Sequence, residues 1–130
     1  MNTITVQTKA RTEFVDITDR VQAFASEQNV ENGLITVFVP HTTAGVTINE
    51  NADPDVTDDL ETVLDDLIPW SNGYAHMEGN TAAHVKASMM GSSAQVLVND
   101  GRLCLGTWQS LYFCEFDGPR TRQVWLKESA

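Results

Sequence analysis

Apolar residues alternate imperfectly through two short segments at the start of the chain, Thr3 to Thr8 and Glu13 to Ile17, with Ile4/Val6 in the first and Phe14/Ile17 in the second. This pattern predicts two strands. Thr18 and Asp19 can cap a helix running to Gln28 or Val30, in which Val21, Phe24 and Ala25 share one face, with Gly33 closing the turn. Leu34 to Val39 is an unbroken apolar and β-branched run, the mark of a buried strand, and Pro40 stops it. Val46 to Ile48 predicts a further short strand. The strongest helix start follows: Asp53 at the N-cap, Pro54 at the first helical position, and Asp55, Asp58 and Asp59 near the positive end of the helix dipole. Its apolar stripe, Val56, Leu60, Val63, Leu64 and Leu67, predicts a core-facing side, and Pro69 ends it.

Ser71 to Gly79 is a polar loop, after which Asn80 or Thr81 can cap a third helix reaching Met89 or Met90, with Gly91 at its C-terminal turn. Strand patterns then return at Ala94 to Val98, Leu103 to Leu105, Ser110 to Phe116 and Gln123 to Leu126, with Asp100-Gly101 favouring a tight hairpin. The order of strands, helix, strand, helices and then a run of antiparallel strands predicts an α+β domain. At 130 residues, 42% of them hydrophobic, residues 1–130 are expected to form one domain with a proper core.

Charge removes several classes of function. Eighteen acidic and eight basic residues give −10, and no lysine or arginine lies between Arg20 and Lys86, which disfavours a nucleic-acid binder. The acidic surface is also what a protein adapted to high salt would carry. No apolar run approaches a membrane span and no signal pattern opens the chain, so the expected setting is the cytoplasm, without membrane attachment. Cys104 and Cys114 fit no disulfide framework or metal knuckle and are expected to be reduced and buried.

His41, His76 and His84 fall at the ends or starts of elements, where functional groups are usually mounted. Three imidazoles from three elements can converge on Zn²⁺ or another divalent ion and leave a position open, although their spacing is no established metal motif and solvent-facing or capping roles are the alternative. Glu50, between two asparagines, and Glu78, two residues after His76, are candidates for ligating a metal, orienting a metal-bound histidine or acting as general base, against a plain surface role. The other acids between Glu50 and Asp66 form the wet face of a helix, and Asp65 and Asp66 are assigned no role. Arg120 and Arg122 follow a strand and a turn and can grip a diphosphate; the alternative is an Arg–Glu pair between strands, for instance with Glu115. Trp108 and Gln109 offer an aromatic platform and an amide, with a core position the commoner role for such a Trp.

Five blocks carry a resemblance. His41-Thr42-Thr43-Ala44, Ile48 to Pro54, Tyr74-Ala75-His76 with Glu78-Gly79-Asn80 and Ala83-His84, Leu105 to Gln109, and Glu115 to Arg120 resemble the YjbQ-like family, in its order and across nearly the whole chain. The resemblance implies a small α+β domain assembling as a homotrimer, and secondary thiamine-phosphate synthase activity, in which hydroxymethylpyrimidine diphosphate and thiazole phosphate join with release of diphosphate. It implies a shared site: His41, His76 and His84 on a divalent metal, Zn or Mg; Glu50 and Glu78 as catalytic carboxylates; and Arg120, Arg122, Trp108, Gln109 and Thr42 around a phosphorylated small-molecule substrate. Two other functions fit the same residues: a metal-dependent hydrolase of a phosphate or amide, and a non-catalytic trimeric metabolite- or metal-binding module.

Overall fold

The computed structural model describes residues 1–129, which form eight strands and three helices in the order β1 (Asn2–Gln7), β2 (Glu13–Asp16), α1 (Thr18–Glu27), β3 (Gly33–Phe38), β4 (Ala44–Glu50), α2 (Pro54–Leu67), α3 (Thr81–Met90), β5 (Ser93–Asn99), β6 (Arg102–Leu103), β7 (Gln109–Glu115) and β8 (Thr121–Ser129). Five strands make one sheet in the order β1-β8-β3-β5-β6, and three make a second in the order β2-β7-β4. Every pairing is antiparallel. The α+β class and the single domain expected from the sequence are what forms.

The layers follow from side-chain alternation. Ile4 and Val6 of β1, Ile35 and Val37 of β3, Val96 and Val98 of β5, and Val124 and Leu126 of β8 point inward from the five-stranded sheet. They meet Val46 of β4, Leu111 and Phe113 of β7, and the Val21, Phe24 and Ala25 face of α1. The opposite face of the small sheet, Tyr112 and Cys114 with Phe116 beyond, forms a second core with Leu64 of α2 and Ala83 and Ala87 of α3. The small sheet is therefore a middle layer. That is why Ser110 to Phe116 is buried at every position instead of at every second one.

Several expectations are revised. β4 is seven residues long, against the three of Val46–Ile48, because it pairs with β7 along its whole length, from Ala44↔Glu115 to Glu50↔Gln109. Thr18 does not cap α1: its Oγ1 accepts the Leu111 N–H at 2.9 Å, and Ile17 stands at the cap without a side-chain bond. Asp53 does cap α2, accepting the Asp55 N–H at 2.9 Å. The stripe of α2 is not core as a whole; Leu64 is buried, but Val63 and Leu67 are 53% and 67% exposed. Asp65 has a role after all, as the ion-pair partner of Lys86, whose side chain is buried on α3. Of the cysteines, Cys114 is buried and its thiol is pushed up to about 12 by that burial, whereas Cys104 is exposed just beyond the edge strand β6. Among the described residues no helix is long and apolar enough to cross a membrane.

Gly45 sets how closely the layers approach. A Cβ there would stand 2.7 Å from the Gly91 carbonyl oxygen and 3.1 Å from Met90 Cβ, so only glycine lets the C-terminal end of α3 close on β4. The backbone bond from Val46 N–H to the Gly91 oxygen, 3.1 Å, seals that contact.

Candidate functional site

Beyond the last pair of β3 and β8, the chain leaves the sheet at Pro40 and brings His41 and Thr42 to the rim of an open polar cavity of about 410 Å³. Three segments bound it. The His41–Thr43 turn supplies one side, the loop from His76 through Asn80 into His84 of α3 a second, and Asp117, Arg120 and Arg122 the third. His41, Thr42 and His84 also border an adjoining hollow of about 490 Å³ that reaches along α3 to Ala87, Ser88 and Gly91.

Beneath the cavity lies a buried charge pair. Arg122 is in phase with Val124 and Leu126, so its side chain points between the sheets, and Glu115 is likewise in phase with Leu111 and Phe113. Arg122 Nε donates to Glu115 Oε1 at 2.8 Å, and Nη2 donates to Glu115 Oε2 and to Thr43 Oγ1, the latter at 2.8 Å. The Thr8 hydroxyl donates to Glu115 Oε1 at 2.8 Å, and the Phe116 and Asp117 N–H groups donate to Oε2, each at 3.1 Å. Burial pushes the Glu115 carboxyl up, but these hydrogen bonds, Arg122 foremost, outweigh it and hold the group below its ordinary range. Arg122 thus takes the alternative raised for it, the Arg–Glu pair between strands, in a buried form that stays on the cavity wall.

Above this pair, Asp117 Oδ2 accepts from Asn80 Nδ2 at 2.9 Å and from Arg120 Nη2 at 3.1 Å, while Arg120 Nε donates to the Asp117 carbonyl at 2.9 Å. Asn80 stands at the start of α3, yet its side chain makes no capping bond, and its Oδ1 is buried without a partner among the described residues. Sequence reasoning gave Asn80, Asp117 and Thr43 no individual role in the site and named Glu115 only as the alternative partner of the arginines. The signal for Glu115 and Arg122 was present in the two-residue period of their strands.

The three histidines border the same cavity. The His76 and His84 rings meet edge to face with centroids 5.3 Å apart. Glu78 is mostly exposed, with Oε1 3.8 Å from His76 Nε2. The His41 Nε2 accepts the Gln123 N–H at 2.9 Å. Burial, followed by the Arg122 charge, lowers the pKa of His41, so the ring is neutral near pH 7. Among the described residues no group of three or more His, Cys, Asp or Glu is arranged to hold a metal ion. With the Nε2 lone pair of His41 engaged, the three histidines as placed do not fit a resident Zn or Mg ion.

Glu50, Trp108 and Gln109 lie elsewhere. Glu50 pairs with Gln109 at the far end of β7 from Glu115, about 20 Å away at ~3.3 Å per residue. Gln109 Oε1 is tied to the Gly106 N–H at 2.8 Å, and Trp108 is 63% exposed and not core. Within one chain these three residues do not border the cavity.

The model for the family described as UPF0047 protein YjbQ-like matches residues 2–129. The chain belongs to that family. Its YjbQ-like relatives include the UPF0047 protein YugU of Bacillus subtilis (strain 168), 52% identical over 128 residues, 98% of this chain and 97% of that protein. A UPF0047 protein of Methanocaldococcus jannaschii is 48% identical over 122 residues, 94% of this chain and 88% of its own length. Among solved YjbQ-like structures, an uncharacterized conserved protein from Clostridium acetobutylicum superposes with a TM-score of 0.98 at 50% identity, covering 99% of this chain and all (100%) of that one. A conserved hypothetical protein from Thermus thermophilus gives 0.93 at 42% identity, with 99% and 100% covered.

Proposed function

We propose that this chain binds a phosphorylated small molecule in the cavity and acts as a thiamine-phosphate synthase, joining hydroxymethylpyrimidine diphosphate to thiazole phosphate. The observation that carries the reading is the gathering of His41, Thr42, His76, His84, Arg120 and the inward Arg122 around one polar cavity. In the reaction the thiazole nitrogen attacks the methylene carbon of the pyrimidine, the C–O bond to the diphosphate breaks, and diphosphate leaves with the electron pair. The demand on the protein is to stabilise charge growing on the leaving group, which guanidinium and imidazole donors do; no strong nucleophile or base is required. Mg²⁺ enters as the companion of the diphosphate, as part of the substrate.

The test is a side-by-side assay of synthase and phosphatase activity. Wild type is expected to make thiamine phosphate with Mg²⁺, and Arg120→Ala to lose about 2–3 kcal/mol of transition-state stabilisation, some 30- to 150-fold. Arg120→Lys recovers only part, because an ammonium cannot reproduce the guanidinium fork. Absence of synthase turnover, or its persistence unchanged in Arg120→Ala and His41→Ala, overturns the reading. The exposed Glu78 carboxylate beside His76 favours phosphate hydrolysis as the second reading, which phosphatase turnover alone would establish. Ligand binding without any turnover would leave the non-catalytic module.

The same reading includes a homotrimer in the cytoplasm. What supports assembly is the apolar surface one chain leaves uncovered, Val63 and Leu67 of α2 and Trp108, together with the stranding of Glu50, Trp108 and Gln109 away from their own cavity. Light scattering is expected to give about three times the chain mass of 14.3 kDa, and dissociation at low salt alone would mark adaptation to high salt.

A further inference from the structure

The hydrogen bond that His41 makes fixes which of its ring atoms can act. β3 and β8 pair up to Phe38↔Trp125, and the same register carried further would set Pro40 opposite Gln123. There the chain has already turned out of the sheet, so the Gln123 N–H has no strand carbonyl facing it. The His41 ring fills that place, with Nε2 accepting at 2.9 Å. A neutral imidazole whose Nε2 accepts an amide proton carries its own proton on Nδ1. The ring cannot then offer a lone pair to a metal or take a proton from a substrate; what it offers is an N–H.

A second donor stands on the same cavity wall. The Arg122 guanidinium commits Nε and Nη2 to Glu115 and Thr43, and among the described residues Nη1 is the nitrogen it has left over. Arg122 is 3% exposed, its charge is desolvated, and it borders the cavity with His41. Along the cavity Arg120 and Arg122 are opposed by Glu78 and Asp117, and Arg122 is already paired with the buried Glu115, so selection there depends on the direction of the donors rather than on a net positive charge.

We propose that His41, held as a neutral Nδ1–H donor by the backbone of β8, and the remaining edge of Arg122 form a metal-free oxyanion site for a phosphate or diphosphate oxygen. The proposal deepens the phosphate reading of the cavity and rests on it, but it replaces the three-histidine metal site with a pair of donors. In that arrangement His41 polarises the leaving diphosphate by hydrogen bonding. Glu115 is the positioning residue that keeps Arg122 aimed.

The experiment uses the full chain in EDTA. Long-range ¹H–¹⁵N correlation on labelled wild type reads the His41 tautomer at pH 7.5, and calorimetry reads the binding of inorganic pyrophosphate. The expected result is an Nδ1–H tautomer and pyrophosphate binding without any divalent ion. His41→Ala weakens that binding about tenfold or more, as loss of a hydrogen bond to an anion does. His41→Asn, whose amide nitrogen falls near the place of Nδ1, keeps most of it. An Nε2–H tautomer overturns the proposal, as does pyrophosphate binding that appears only on adding zinc or magnesium, no pyrophosphate binding at millimolar concentration, or equal affinity in His41→Ala. Should the variants fail to fold, the wild-type spectrum and the wild-type titration still decide. A synthase assay that fails while pyrophosphate binds in EDTA removes the reaction and leaves this site standing; turnover with an Nε2–H tautomer does the opposite.

Discussion

β7 is only seven residues long, yet its two ends carry opposite kinds of chemistry. At the Glu115 end a carboxylate and a guanidinium are buried together, every Glu115 oxygen is hydrogen-bonded, and a cavity opens above them. At the Gln109 end Glu50 stands on the outermost strand pair, Gln109 is bound within its own turn, and Trp108 faces solvent. Both ends supply motif blocks, so the letters alone give them equal weight. A strand crossing a middle layer separates its two ends by its full length, and a residue belongs to a site only through the end it occupies.

The buried pair is expected to give the largest effect. Glu115→Gln leaves Arg122 desolvated and without its counter-charge, a loss of about 3–5 kcal/mol in urea unfolding, whereas Glu50→Gln at the far end stays within about 0.5 kcal/mol. Equal losses at the two ends would erase the distinction. Acid offers the same cut without mutation. Because the folded-state pKa of Glu115 is lowered, its contribution is present above the ordinary carboxyl value of 4.5 and is lost as pH falls through the depressed value. Stability measured from pH 5 downward is expected to fall in wild type, and to fall less steeply in Glu115→Gln.

Smaller effects sharpen the picture. Gly45→Ala, near the cavity end, drives a methyl against the Gly91 carbonyl and is expected to cost about 1–3 kcal/mol while also shifting α3 and the His84 it carries. Chemical-shift changes reaching His84 would be the mark of that movement; changes confined to Gly45 and its neighbours would show that α3 is not held through this contact. Asp53→Ala, just past the far end, removes one helix cap and is expected to cost about 1 kcal/mol by the same unfolding measurement, with no change at the cavity.

Much of this was legible in the letters. Pro54 behind Asp53, the run Leu34 to Val39, and the alternation at Val124 and Leu126 each locate an element because the local physics and the final fold agree there. The same alternation already puts position 122 on the inward side, where Arg122 pairs with Glu115 and still borders the cavity. The α2 stripe erred: the helix has a clean apolar face, but no second layer within one chain covers Val63 and Leu67. The convergence of His41, His76 and His84 on one cavity was visible only through the motif blocks, since the turn after Pro40 and the start of α3 are brought together by sheet topology rather than by spacing. The state of His41 was not legible at all. It depends on a backbone N–H eighty-two positions away in sequence.

The place of β8 has a consequence for how the molecule assembles. This strand lies late in the sequence yet sits between β1 and β3, and it carries both Arg122 and the Gln123 N–H. During synthesis the earlier strands emerge without it, so the larger sheet cannot close around its interior until β8 arrives and threads between its neighbours. Pairings this distant make folding slow compared with a helical bundle of the same length. They also make the anion cavity and the completed sheet a single event: a nascent chain lacking β8 has neither, and no half-built form presents the site.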